Sequence, residues 1–153
     1  MPLTPKETTN LLKKLGHRPK KKLGQNFLID GNIVQKSLDM ADLPPHLPIV
    51  EIGPGLGTLT KRLLEVGHPV HAIEIDRALF ENLESSLAPF VKSKQLNLTR
   101  GDGVKEPIGS LPENVEDYAV VANLPYAISS PWLEALLATD RLPIRMVLML
   151  QRE

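Results

Sequence analysis

The chain has 153 residues, 42% of them hydrophobic and 24% charged, with 14 Pro and no Cys. This suits one domain with a buried core, excludes a disulfide framework, a thiolate metal site and a Cys nucleophile, and leaves no apolar run near the roughly 18 residues of a membrane-spanning helix. The formal net charge is zero, yet residues 1–22 carry seven Lys/Arg against Glu7 alone, a net +6 that residues 23–153 balance with −6.

Residues 1–22 show no sustained apolar pattern, and His17-Arg18-Pro19-Lys20-Lys21-Lys22 is the densest positive run. Two readings stand: a solvated, disordered terminus, or an arm whose Lys20, Lys21 and Lys22 contact nucleic-acid phosphates. No apolar stretch follows, as a secretory signal requires, and the excess of Lys and the presence of Glu7 are unlike a mitochondrial presequence.

From residue 29 helical and strand-like patterns alternate. Residues 32–42 place Val34, Leu38 and Ala41 on one helical face, ending before Pro44-Pro45. Residues 48–52 form an apolar run stopped by Gly53, which reads as a buried strand. Leu59, Leu63 and Val66 follow at helical spacing, and Gly67 ends that helix. Residues 70–75 are a second strand, Asp76 the N-cap of a helix carrying Leu79, Leu83 and Leu87 and broken at Pro89. Residues 96–99, 118–122 and 144–150 are further strands, and Ser130-Pro131 reads as the start of a helix running to Thr139. Near-continuous apolar strands, alternating with helices, predict an α/β fold: a parallel sheet with flanking helices on both faces. Gln151-Arg152-Glu153 follows the fifth strand directly, and the expectation is a fragment of something longer, cut before its last strands.

Four features carry chemistry. Gly53-Pro54-Gly55-Leu56-Gly57 lies between a strand and a helix, where glycine lets Gly53 and Gly55 bring backbone close to a ligand. Glu74 ends the next strand, the position from which a carboxylate meets a ribose in a doubly wound sheet. The spacing is G-x-G-x-G rather than the dinucleotide G-x-G-x-x-G, which favours S-adenosylmethionine. Asp102 follows the third strand and can accept from an adenine amino group. Asn123-Leu124-Pro125-Tyr126 follows the fourth strand. An adenine amino nitrogen is a poor nucleophile because its lone pair is delocalised. The Asn123 side-chain oxygen and the Leu124 carbonyl can draw its hydrogens out of plane, Pro125 stiffens the loop, and Tyr126 offers a ring to an unstacked base. His46, His68 and His71 lack metal-like spacing and read as strand-flanking or surface residues. Trp132 reads as packed in the first turn of its helix.

Gly24-Gln25-Asn26-Phe27-Leu28, residues 50–57, Ile73-Glu74-Ile75-Asp76, Gly101-Asp102 and residues 123–131 occur in order. Together they resemble the bacterial small-subunit ribosomal RNA adenine dimethyltransferases, the kasugamycin-resistance methylase family. The resemblance implies a Rossmann-like S-adenosylmethionine-dependent methyltransferase domain, incomplete, with the last strands and a C-terminal helical domain absent. It implies residues 1–28 as a basic arm and cofactor lid and residues 29–153 as the partial catalytic domain. It further implies methyl transfer to N6 of two adjacent adenosines near the 3′ end of small-subunit rRNA, on the assembling small ribosomal subunit, by a cytoplasmic monomer with no metal and no membrane contact. By motif match Asn26 and Leu28 enclose the cofactor, Gly53 meets its methionine portion, Glu74 its ribose, Asp102 its adenine, and Asn123 both cofactor and target amine. Leu124 separates the motif from the Asn-Ile-Pro-Tyr of large-subunit methylases and the Asn-Pro-Pro-Tyr of DNA and protein methylases. Gly103-Val104 departs from the Ala-Leu-like pair usual in the family. Two other classes remain open on the residues alone: an NAD-binding oxidoreductase and a non-catalytic RNA-binding assembly factor.

Overall fold

The computed structural model describes residues 4–16 and 31–150. In chain order these form α1 (Pro5–Lys14), α2 (Gly31–Ala41), β1 (Ile49–Ile52), α3 (Thr58–Val66), β2 (Val70–Glu74), α4 (Arg77–Ser86), α5 (Ala88–Lys92), β3 (Leu96–Arg100), β4 (Ala119–Leu124), α6 (Tyr126–Leu137) and β5 (Arg145–Leu150). The strands are all parallel and lie in the order β3-β2-β1-β4-β5. The chain steps outward from β1 to β3, then returns to lay β4 on the other side of β1. That reversal opens a crevice beyond the carboxyl ends of β1 and β4, where open α/β sheets bind ligands.

Alternate residues feed two cores. Ile49, Val70, Ala72, Ala119 and Val121 pack with Val34 of α2, Leu59, Leu63 and Leu64 of α3, and Leu83 of α4. Val50, Ile52, Ile73, Val120 and Ala122 point the other way, into a core closed by Trp132 and Leu136 of α6 and by Leu111 and Tyr118. β1 and β2 are buried at every position, which explains the apolar residues at six of their nine positions. The pairing is uneven around β4. It aligns with β1 at Ile49↔Ala119 and Val50↔Val120, but with β5 at six positions, from Ala119↔Arg145 to Leu124↔Leu150.

Helix ends follow local chemistry. The Asp76 carboxylate accepts the Leu79 N–H at 2.9 Å and caps α4, and Gly67, at φ +110°, closes α3. The Arg145 guanidinium donates to the Ala41 carbonyl at 2.6 Å and to that of Asp42, tying the end of α2 to β5. Arg141 donates to the carbonyls of Leu111, Pro112 and Val115, and Trp132 to that of Pro107 at 3.4 Å; both tether the long β3–β4 connection.

Several expectations are corrected. α6 begins at Tyr126, with Pro125 as its N-cap, so Ser130-Pro131 lies inside the helix and Trp132 sits beyond its first turn. Pro131 and Ala127 are both exposed, so water can serve the Ala127 carbonyl that the missing Pro131 N–H leaves unpaired. Pro89 does not end helical structure but stands in the first turn of α5, where its missing N–H costs nothing. Val66 is exposed, and Leu64 takes its place in the core. His68 and His71 are buried rather than superficial. Within the basic arm, residues 5–14 form a capped helix: Glu7 N–H donates to Thr4 Oγ1, and Thr4 N–H returns to Glu7 Oε2. Thr8 and Leu12 are buried, and Lys6, Lys13 and Lys14 face solvent.

Candidate active site

The glycine loop is built on left-handed backbone. Gly53, Gly55 and Gly57 have φ of +66°, +60° and +83°, a region costly for residues with a Cβ. Gly57 is also fixed by packing, because a Cβ there would approach Leu83 Cδ2 to 2.7 Å. The loop therefore turns sharply out of β1 and delivers the chain into α3, and Gly53, Pro54, Gly55 and Leu56 line the crevice.

Glu74, at the end of β2, holds this loop. Its Oε1 accepts the Gly55 N–H and its Oε2 the Asp76 N–H, each at 3.0 Å. Burial raises the Glu74 carboxyl above the usual carboxylate range, against the two amide bonds, which favour its ionised form. Asp102 is fixed likewise, through the Val104 N–H donating to its Oδ1 at 2.9 Å. The turn after it lies tight on β1: a Cβ on Gly103 would meet Ile52 Cγ2 at 2.7 Å. That contact gives a local reason for glycine at this position.

Glu51 was legible only as an acidic residue two before the loop. It is 2% exposed, and its Oε1 accepts the Thr60 hydroxyl at 2.5 Å, joining β1 to the first turn of α3. Burial pushes its carboxyl up to about 8, the Thr60 hydrogen bond opposing and the neighbouring Glu74 adding to the rise.

These groups surround a cavity of about 370 Å³. Of the residues singled out from the sequence, Gly53, Gly55, Glu74, Asp102, Asn123, Leu124 and Pro125 all line it. Tyr126 opens α6 beside them, its side chain outside the described residues, as are Asn26, Leu28, Lys20, Lys21 and Lys22. Ile75, Leu79 and Ile128 add apolar wall. Ile75, 64% exposed, could have been picked out as an apolar residue directly after an acidic strand end. Thr60 carried no such signal.

Among the described residues, the charged ones lining the cavity are Glu51, Glu74, Asp76 and Asp102, with no Lys, Arg or His beside them. Such a wall suits a ligand with cationic groups and opposes a diphosphate, since like charges in a partly buried site repel strongly. S-adenosylmethionine, with its sulfonium and ammonium, fits; a nicotinamide dinucleotide does not.

Comparison with known proteins agrees. Residues 16–153 match the family model for ribosomal RNA adenine dimethylase. The chain is 53% identical over its whole length to Ribosomal RNA small subunit methyltransferase A of Opitutus terrae, and 43% identical over 98% of its length to that of Anoxybacillus flavithermus. It spans about half the length of these relatives, 55% and 51%. Among solved structures, a dimethyladenosine transferase from Plasmodium falciparum superposes with a TM-score of 0.64 at 27% identity, covering 82% of this chain and 43% of that one. The 23S rRNA methyltransferase ErmE gives 0.63, also at 27% identity, covering 79% and 47%. An RNA methyltransferase from Salinibacter ruber, solved with S-adenosyl-L-homocysteine, shares the fold at a TM-score of 0.60 and 18% identity, covering 75% and 71%. The glycine loop, the acidic cavity and these matches converge: the chain belongs to the ribosomal RNA adenine dimethylase family, carrying the Rossmann-like S-adenosylmethionine-dependent methyltransferase fold.

Proposed function

We propose that this protein transfers methyl groups from S-adenosylmethionine to N6 of two adjacent adenosines near the 3′ end of small-subunit rRNA, giving N6,N6-dimethyladenosine during subunit assembly. The observation that carries the reading is the position of Asn123-Leu124-Pro125 on the rim of the cavity that Glu74 and Asp102 also line. The cofactor supplies an already activated methyl group on a sulfonium, so positioning dominates the chemistry.

In this reading Glu74 holds the ribose and Asp102 the adenine amino group, while Gly53 and Gly55 present backbone to the methionine portion. The Asn123 side-chain oxygen and the Leu124 carbonyl accept the two hydrogens of the target amine and turn its lone pair toward the methyl group. Pro125 limits the freedom of that loop, and Tyr126 supports the base once it has left its stack. Residues 1–28 act as arm and lid, Asn26 and Leu28 covering the cofactor and Lys20–Lys22 contacting rRNA phosphates. The protein works as a cytoplasmic monomer on the assembling small subunit.

The test is methylation of small subunits that lack the modification, by the full-length protein and S-adenosylmethionine, with the products mapped by mass spectrometry of the rRNA 3′ fragment. Two neighbouring dimethyladenosines are expected. Methylation at a different base, or none with cofactor bound, overturns the assignment; the second outcome favours an assembly factor that binds RNA without modifying it.

A further inference from the structure

Glu51 lines the cavity, yet the transfer described above gives it no part. It sits at 2% exposure on β1, and its carboxyl accepts one hydrogen bond, from the Thr60 hydroxyl at 2.5 Å. The groups around it decide its charge. From β2 it faces Glu74, a like charge; the loops beyond β2 and β3 add Asp76 and Asp102; α3 offers the neutral Thr60 and β4 the neutral Asn123. Among the described residues no Lys, Arg or His lines the cavity to supply a fixed counter-charge. A buried carboxyl in acidic company keeps its proton near neutral pH, and it gives that proton up when a cation enters.

The geometry points to a proton-coupled cation site: Glu51 receives a cationic group of the bound cofactor and releases its proton on binding, with Thr60 as the positioning residue that holds the carboxyl for it. The Glu51 O–H bond breaks, the proton goes to solvent, and the carboxylate left behind faces the cation. The cation thus takes the proton's place, and at neutral pH the cavity does not hold a fully ionised acidic wall without a partner. The inference rests on the cofactor assignment and not on the identity of the RNA target.

Calorimetric titration of the full chain with S-adenosylmethionine at pH 6.5, in phosphate and in imidazole, reads the proton directly from the difference in apparent enthalpy. About one proton released per cofactor is expected, with affinity rising toward tenfold per pH unit between pH 6 and 7. The neutral 5′-methylthioadenosine, which has neither cation, is expected to bind without release. Glu51→Gln abolishes the release and flattens the pH dependence. Thr60→Val, which removes the hydroxyl donor, weakens cofactor binding about tenfold at pH 7 and carries its pH dependence to higher pH, and Thr60→Ser restores both. No proton release by the unaltered chain, or release undiminished in Glu51→Gln, overturns the inference. Should Glu51→Gln fail to fold, matching pH profiles for Thr60→Val and Thr60→Ser overturn it instead.

Discussion

Glu74 Oε1 accepts the Gly55 N–H at 3.0 Å, so the carboxylate that ends β2 also fixes the loop that ends β1. Two walls of the cofactor site are thereby set by one side chain. Glu74→Ala removes the acceptor from one buried and one part-buried amide, a hydrogen bond to a charged group contributing about 1.5–3 kcal/mol. Cofactor affinity should fall about 10–100-fold, read by calorimetric titration; a loss below about threefold would show that the loop holds itself.

Asn123 separates chemistry from binding. Asn123→Ala is expected to lower the single-turnover methylation rate at least 100-fold while cofactor affinity changes far less. Retained dimethylation of both adenosines by this variant would remove Asn123 from its role.

Glu51 gives folding a pH dependence of defined sign. Its carboxyl moves from 4.5 to about 8 on folding, so the folded state binds the proton more tightly than the unfolded chain. The stability from the neutral buried carboxyl is complete below pH 4.5 and is lost as pH rises through 8, with a slope of at most about 1.4 kcal/mol per pH unit. Glu74, also raised, acts in the same direction. His71, lowered by burial, acts oppositely, but only below its unfolded value of 6.5. Urea denaturation at pH 7.0, 7.8 and 8.5 should therefore show falling stability, and Glu51→Gln should flatten the trend.

The basic arm is tested by salt. Replacing Lys20, Lys21 and Lys22 by Ala should weaken binding to the small subunit and reduce the slope of log affinity against log salt by up to about 2, at roughly 0.7 per lost phosphate contact on single-stranded RNA. An unchanged slope would leave the arm as solvated chain.

The cap of α1 is testable on its own. Thr4→Ala removes the acceptor for the Glu7 N–H and is expected to cost about 1 kcal/mol locally. Hydrogen exchange of the α1 amides should accelerate about fivefold, with β1–β5 unaffected.

The strands were readable because a parallel sheet covered on both faces favours apolar residues on either side of each strand, and residues 49–52 and 70–74 carry them at six of nine positions. The glycine loop and the acid at the end of β2 were readable because they are local signals. What the sequence hid was non-local. Ser130-Pro131 has the composition of a helix start, yet α6 begins five residues before Pro131, because Pro125 already turns the chain out of β4. The Thr4–Glu7 capping box stood in plain view, but the lysines around it drew attention to charge rather than to the Thr8–Leu12 spacing that seats α1. Burial of His71 follows from its place within β2, where its Nδ1 finds no hydrogen-bond partner, and Thr60 gains meaning only once α3 lies over β1.

The uneven pairing of β4 bears on how the reactive segment is held. Beyond Val50↔Val120 the register with β1 stops, while that with β5 continues through Asn123↔Met149 to Leu124↔Leu150. Asn123 is thus splinted from the side of the sheet facing away from the glycine loop. The arrangement leaves the ends of β1 and β4 unaligned with each other, between the glycine loop and Asn123. A shift of one loop against the other would break none of the paired positions of β1 and β4, and a change in β5, outside the cavity, is expected to reach Asn123 through its pairing with Met149.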